Sequence, residues 1–227
     1  MSEYIGASYL NVMDHALNYN KHLLDIIISN AQPNDQILDF GAGIGTFTIP
    51  LANMGNNICS IEPDPKQLLF ITKQGIPGYT DIANIPDNSL DYVFTINVLE
   101  HIKDDQIALL DLSNKLRTGG RLLIYVPAFQ VLFSQMDKSV GHFRRYSMKE
   151  LSSKIAAAGF IIIETRYADS LGFFATLLYK YIEHTNRPLD ARAVIVFDRF
   201  IFPISLLLDK VTHKLFGKNI IAVAEKC

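Results

Sequence analysis

The sequence contains no tryptophan, only two cysteines and almost no excess charge: Lys+Arg is 21 against Asp+Glu 23, a formal net charge of −2. Each shortage removes a class of protein. Cys59 and Cys227 lie far apart; they make neither a disulfide framework nor a metal-ligand pattern, and they fit a reducing, cytoplasmic setting. A chain this close to neutral has no whole-surface footprint for nucleic acid, so no nucleic-acid partner is expected. The nearest approach to a membrane-spanning run is Phe200 to Leu208, bounded by Arg199 and Asp209, well short of the ~18 apolar residues a spanning helix needs. The opening Met1-Ser2-Glu3-Tyr4 lacks the basic region and apolar stretch of a signal peptide. Neither an internal repeat nor a low-complexity tract is present. Core-forming residues are plentiful, with 49% hydrophobic and 19% charged among 227 residues. That suits one domain with a cap or insertion better than two independent domains.

Short apolar runs alternate with longer helical stretches, the pattern of βαβ units and a parallel sheet. The spacing predicts a helix over 11–30, with Leu17, Leu23, Leu24, Ile27 and Ile28 on its apolar face. Strands are expected at 36–40, 57–61, 91–96, 121–126, 160–165 and 219–224, and helices at 46–53, from Pro65, at 104–117 and from Ser147 to Gly159. Gly119-Gly120 reads as the stop of the 104–117 helix, and Ser147 with Glu150 as a capping box. About fifty residues, 169–218, separate the last two strands; that is too long for a structureless loop and predicts a helical cap. The expected layout is a single domain: an N-terminal helical cover (1–30), a core (31–168), the cap insertion (169–218) and a last strand (219–227).

The most informative stretch is Ile37-Leu38-Asp39-Phe40-Gly41-Ala42-Gly43-Ile44-Gly45-Thr46. A buried strand runs into a glycine turn that opens a helix. Gly41, Gly43 and Gly45 let the backbone turn tightly and approach a ligand, and the helix start offers free N–H groups. Glu62 follows about twenty residues on, at the end of the second strand, where a carboxylate accepts ribose hydroxyls. Together they point to a nucleoside-containing cofactor. The dinucleotide frame G-x-G-x-x-G is broken, because Thr46 occupies its third position and the glycine comes one residue early at Gly45.

The spacing Asp-x-Gly-x-Gly-x-Gly instead resembles the first motif of class I S-adenosylmethionine-dependent methyltransferases. Ser60-Ile61-Glu62-Pro63-Asp64, Thr80-Asp81-Ile82, the stretch Asn88 to Ile102 and Arg117 to Ile124 resemble later motifs of that superfamily, in order. The likeness covers roughly 15–168 and the last strand. Asn18-Tyr19-Asn20 and Gly141-His142-Phe143-Arg144-Arg145-Tyr146-Ser147 resemble a bacterial small-molecule or glycan group of type 11/12. The resemblance implies an α/β, Rossmann-like class I methyltransferase fold: a mostly parallel seven-stranded sheet, helices on both faces and a helical insertion before the last strand. It implies S-adenosyl-L-methionine as cofactor and an in-line methyl transfer to a small-molecule or glycan/lipid-linked acceptor. By the same likeness Gly41, Gly43 and Gly45 meet the methionine part, Asp39 its cationic end, Glu62 with Pro63 the ribose, and Asp81 and Ile82 the adenine edge, Ile61 and Ile82 sandwiching the ring. Asn97 lies on the cofactor side.

A base is needed only where the acceptor must lose a proton. His101, at the exit of the fourth strand, and His142 are the candidates, set against roles in holding the loop. Arg145 is placed with them as catalytic. Arg144, Tyr146 and Tyr19 are expected at the acceptor, Arg144 or Arg145 through a bidentate fork on a carboxylate or phosphate. The competing reading pairs Asp137 with an arginine and makes the segment a lid. Tyr4 and Tyr9 join Tyr19 as candidates to close over the site. His15, His22, His184 and His213 have no metal spacing, and no metal is expected. Residues 180–218 carry seven Lys/Arg and four Asp/Glu, a net of +3. Packing on the sheet is the first reading of this apolar, basic segment, with peripheral membrane contact or a dimer interface behind it. The rivals to methyl transfer are an NAD-dependent oxidoreductase and a non-catalytic cofactor-binding or interaction module.

Overall fold

A computed structural model describes residues 12–182 and 191–227; Tyr4, Tyr9 and His184 lie outside them. One seven-stranded sheet runs in the order β3-β2-β1-β4-β5-β7-β6. Its strands are β1 (Gln36–Phe40), β2 (Asn57–Ile61), β3 (Gly78–Tyr79), β4 (Leu90–Ile96), β5 (Leu116–Pro127), β6 (Phe160–Ala168) and β7 (Asn219–Lys226). β1 to β5 pair in parallel, and β7 lies antiparallel between β5 and β6.

The strands are apolar on both faces because helices cover both. Leu38, Val93, Leu122 and Ile124 face one layer with Leu109 and Leu112 of α4 (Asp105–Lys115) and Leu151 and Ile155 of α6 (Met148–Ala157). Ile37, Tyr92, Phe94, Leu123 and Tyr125 face the other, with α1 (Leu17–Asn30), α2 (Thr48–Asn53) and α3 (Pro65–Thr72). The chain turns back in order along β1-β2-β3 and then crosses to β4. The C-terminal ends of β1 and β4, at the reversal of strand order, are where open α/β sheets bind ligands.

Several boundaries differ from the sequence-based ones. The first helix buries Leu23, Ile26 and Ile27, whereas Leu17 and Ile28 face outwards. Leu23, Leu24 and Ile27 pack inward as the spacing predicts, joined by Ile26 in place of Leu17 and Ile28. Gly119-Gly120 do not stop α4: the helix ends at Lys115, and β5 already begins at Leu116 and runs through both glycines. Ser147 does cap α6, its hydroxyl accepting from the Glu150 amide at 3.2 Å. The reciprocal capping box belongs instead to α5 (Gln135–Ser139), between Ser134 and Asp137. The stretch before β7 carries α7 (Ser170–Ile182), α8 (Ala191–Val196), a π-turn at Phe197–Ile201 and α9 (Phe202–Thr212).

Candidate active site

The turn after β1 takes glycine for two separate reasons. Gly41, Gly43 and Gly45 have φ of 85°, 56° and 91°, a region open to glycine and costly for other residues. A Cβ on Gly41 would also lie 2.3 Å from Val98 Cγ2, so the loop and the β4 exit approach as closely as main chain allows. The Gly41 and Ala42 amides both donate to the Ile61 carbonyl, at 2.9 and 3.0 Å. Glu62 reaches back to the same loop: its Oε2 accepts from the Gly43 amide at 2.8 Å and its Oε1 from the Asp64 amide at 2.9 Å. The strand-end carboxylate and the glycine turn thus form one unit. Beside it, Phe40, Ile82, Ile102 and Ile107 line an open hollow of about 410 Å³. Asp81 is exposed and accepts from the Ala83 amide at 2.8 Å, which presents Ile82 at the rim. Pro63 is exposed.

Two expected cofactor contacts sit elsewhere. Ile61 is 3% exposed, within the core; its place at the hollow is taken by Phe40. Asp39 is fully enclosed, accepting from the Thr48 hydroxyl at 2.6 Å. Burial, with Glu62 nearby, pushes its carboxyl up to about 7. It braces the start of α2 instead of facing a ligand. Asn97 holds φ of 55° and donates its amide to the Tyr125 carbonyl at 2.8 Å. The Tyr19 hydroxyl, pushed up to about 12 by burial, hydrogen-bonds with Tyr125 and Asn97. That links α1 to the end of β4.

The second half of the cleft is a cluster of charge. The turn Leu99–His101 carries Glu100 and His101, and the segment after α5 brings back His142. The two imidazoles are edge to face, centroids 4.5 Å apart. His142 Nδ1 is 2.7 Å from Asp137 Oδ1, and its Nε2 is 3.9 Å from Glu100 Oε1. Asp137 also takes a bidentate fork from Arg145, with Nε at 2.9 Å and Nη2 at 3.0 Å. Burial works to raise Asp137, but the His142 hydrogen bond and the Arg145 guanidinium outweigh it and hold the carboxyl at about 2. Glu100 is completely buried, and among the described residues neither of its side-chain oxygens finds a hydrogen-bond partner. That burial pushes it up to about 8. Burial and the neighbouring His142 push His101 down to about 4.

The arginines and Tyr146 are paired within the chain, although Nη1 of Arg145 finds no hydrogen-bond partner among the described residues. Arg145 is 9% exposed and committed to Asp137. Arg144 pairs with Asp105 at 2.8 Å and donates to the Lys103 carbonyl at 2.6 Å. Tyr146 is buried, its hydroxyl donating to Asp105 at 2.7 Å. The forks expected to grip an anion hold the segment itself, as the lid reading had it.

Residues 38–124 match the methyltransferase-domain family. Over that stretch the chain is similar to S-adenosylmethionine-dependent methyltransferase domains. The chain is 44% identical over 71 residues to a "probable ribosomal RNA small subunit methyltransferase A" of Methanosphaera stadtmanae, covering 30% of this chain and 26% of that one. It is 25% identical over 167 residues to an uncharacterized methyltransferase of Oceanobacillus iheyensis, covering 70% and 75%. The chain therefore spans between about a quarter and three quarters of these curated relatives' lengths. Its fold superposes on phosphoethanolamine N-methyltransferase 2 of Haemonchus contortus, solved with S-adenosyl-L-methionine, at a TM-score of 0.64 and 18% identity, covering 92% of this chain and 52% of that one. The ligand in that structure is S-adenosyl-L-methionine, and the residues here fit it: a φ-positive glycine turn meets a carboxylate at the end of β2.

Sequence reasoning missed Glu100. Its signal was a Glu-His pair directly after β4, with Gly-His-Phe-Arg-Arg about forty residues on. It also missed Asp198, 5% exposed in the π-turn, which accepts from the Asn18 and Tyr19 amides at 2.9 and 2.8 Å. Phe202 follows, 5.4 Å from the Tyr19 ring. The late helices thereby hold α1, and Tyr19 with it, over the methyltransferase cleft.

Proposed function

We propose that the protein transfers a methyl group from S-adenosyl-L-methionine to an amphipathic or lipid-linked acceptor, small-molecule or glycan in its head. One observation carries the cofactor half: Glu62 and the Gly43 amide meet at 2.8 Å beside a φ-positive glycine turn, next to an apolar hollow open enough for a flat ring. When bound, S-adenosyl-L-methionine supplies an activated methyl group that passes to the acceptor in one in-line displacement. Gly41 and Gly43 present main chain to the aminoacyl end, Glu62 takes the ribose, and Phe40 with Ile82 takes the adenine, Asp81 standing at its edge. Most of the rate gain comes from holding the acceptor in line. His101, held near 4 by burial, is too weak a base at neutral pH. His142 is better placed, because ionised Asp137 can only accept. Nδ1 therefore carries the proton in the neutral ring, and Nε2 keeps a lone pair for a proton or a cation.

The acceptor half is supported by α9. Its buried side is Phe202, Ser205 and Asp209, while Ile204, Leu207 and Val211 are 53%, 63% and 74% exposed, with Lys210 beside them; the turn after it adds Lys214 and Leu215, 70% exposed. An apolar stripe with a cationic border suits an anionic lipid surface. Co-sedimentation with vesicles containing anionic lipid is expected, and its absence would leave a soluble acceptor. Titration calorimetry with S-adenosylhomocysteine and with NAD tests the cofactor half. Only the first should bind, and Glu62→Ala should weaken it by about 1–3 kcal/mol. Binding of NAD instead would overturn the reading.

A further inference from the structure

We infer that Glu100, His101 and His142 form a binding site for one divalent transition-metal ion of the zinc type. Their ligand atoms all lie within 4.8 Å of one another. The case begins with an electrostatic problem. Glu100 is 0% exposed and its side-chain oxygens meet no hydrogen-bond donor among the described residues, with Arg145 acting on them only through space; a buried polar group without a hydrogen-bond partner is expensive. What faces it is Nε2 of His142, at 3.9 Å. Because Asp137 fixes Nδ1 of His142 as the donor at 2.7 Å, that Nε2 bears a lone pair in the neutral ring. The unpartnered carboxyl and the Nε2 lone pair face each other, and either a proton on Glu100 or a cation belongs between them; three converging ligand atoms suit the cation. The edge of the His101 ring completes the third side.

The donor set selects the ion. Two imidazoles and one carboxylate suit zinc and its first-row neighbours, not magnesium or calcium, which take oxygen. His142 also has the usual outer partner of a metal-bound imidazole, a carboxylate on its other nitrogen, itself braced by Arg145 at 2.9 and 3.0 Å. Metal bonds of roughly 2.0–2.2 Å place ligand atoms roughly 3–3.5 Å apart. The three side chains need to close by about an ångström, which the half-buried imidazoles allow. Three protein ligands leave a fourth position for water or an acceptor oxygen. The turn holding Glu100 and His101 follows Val98, which lies against Gly41, so an ion there stands at the cleft.

The test uses the full chain, stripped with chelator and titrated with Zn²⁺ and with Co²⁺. One equivalent per chain is expected, with visible absorption from Co²⁺ and a rise in melting temperature with Zn²⁺. His142→Ala and Glu100→Gln should each weaken uptake at least tenfold, while His213→Ala should leave it unchanged. Metal-free Glu100→Gln should melt no lower than the metal-free wild type, since Gln keeps the shape of the uncharged carboxyl; this shows that a loss of uptake is not a loss of fold. No uptake by the wild type, or equal uptake by His142→Ala and Glu100→Gln, would overturn the site. S-adenosylhomocysteine binding, measured in chelator, reports separately on the cofactor cleft.

Discussion

The two halves of the cleft are built by different means. On the β1–β2 side the chemistry is presented by main chain: φ-positive glycines, amides aimed at one carboxylate, and a carbonyl shared by the Gly41 and Ala42 amides. On the β4–α5 side it is presented by side chains brought together from far along the chain, Glu100 and His101 meeting Asp137, His142 and Arg145. A backbone cradle has almost no freedom and tolerates no added atom. A side-chain cluster depends on each charge finding its counterpart, and fails when one is removed.

The sharpest way to break that contrast is Asp137→Ala. It leaves the Arg145 guanidinium buried without its counter-charge, and should cost about 3–5 kcal/mol in urea unfolding. Replacing Asp137 and Arg145 together by Leu and Met should recover most of it. A cost below about 1 kcal/mol for the single change would mean that the pair does not hold the segment. Gly41→Ala comes next. The left-handed φ and the contact with Val98 should together cost about 1–3 kcal/mol, read as weaker S-adenosylhomocysteine binding. Adding Val98→Ala should return the steric share and leave the backbone share.

Much of the first half was legible in the sequence because its determinants are local. Three glycines at alternate positions dictate a turn wherever they stand, and an acid one strand later is found by counting. Less of the second half was. Arg144, Arg145 and Tyr146 were visible as chemistry-bearing residues, and Asp137 as the mate of one arginine was one of two readings; Asp105, the partner of Arg144 and Tyr146, is set by how α4 packs. Glu100 looked like one more polar residue after a strand; only burial makes it unusual. The ends of the α1 face, Leu17 and Ile28, were misplaced for a related reason. Ile26 is buried and Leu17 exposed because Asp198 and Phe202, some 180 residues away, set where that helix lies.

Smaller effects sharpen the same comparison. Asp198→Ala removes the acceptor for two α1 amides and should cost about 0.5–2 kcal/mol, as lost caps do, measured by thermal unfolding. Loss of stability without loss of cofactor affinity would separate the late helices from the cradle. The last test is one of pH. Asp39 is raised to about 7 in the folded protein, above the ~3.9 of an unfolded aspartate. The folded state therefore binds its proton more tightly, and wild-type stability should fall as pH rises from about 4 through about 7. Asp39→Asn should flatten that fall and gain on the wild type at pH above 7. Parallel melting curves at both ends of the range would show that Asp39 is ionised at no cost, and that its buried contact with Thr48 is better solvated than the geometry indicates.

The Asp198 anchor carries an implication for how such a chain diversifies. A carboxylate near the C-terminus completes the first turn of the opening helix, so the two ends of the polypeptide behave as a single clamp closed across the sheet. Grafting the late helices of a relative onto this core, in order to change what it modifies, would leave the opening helix without its fastening unless the matching acid came with them.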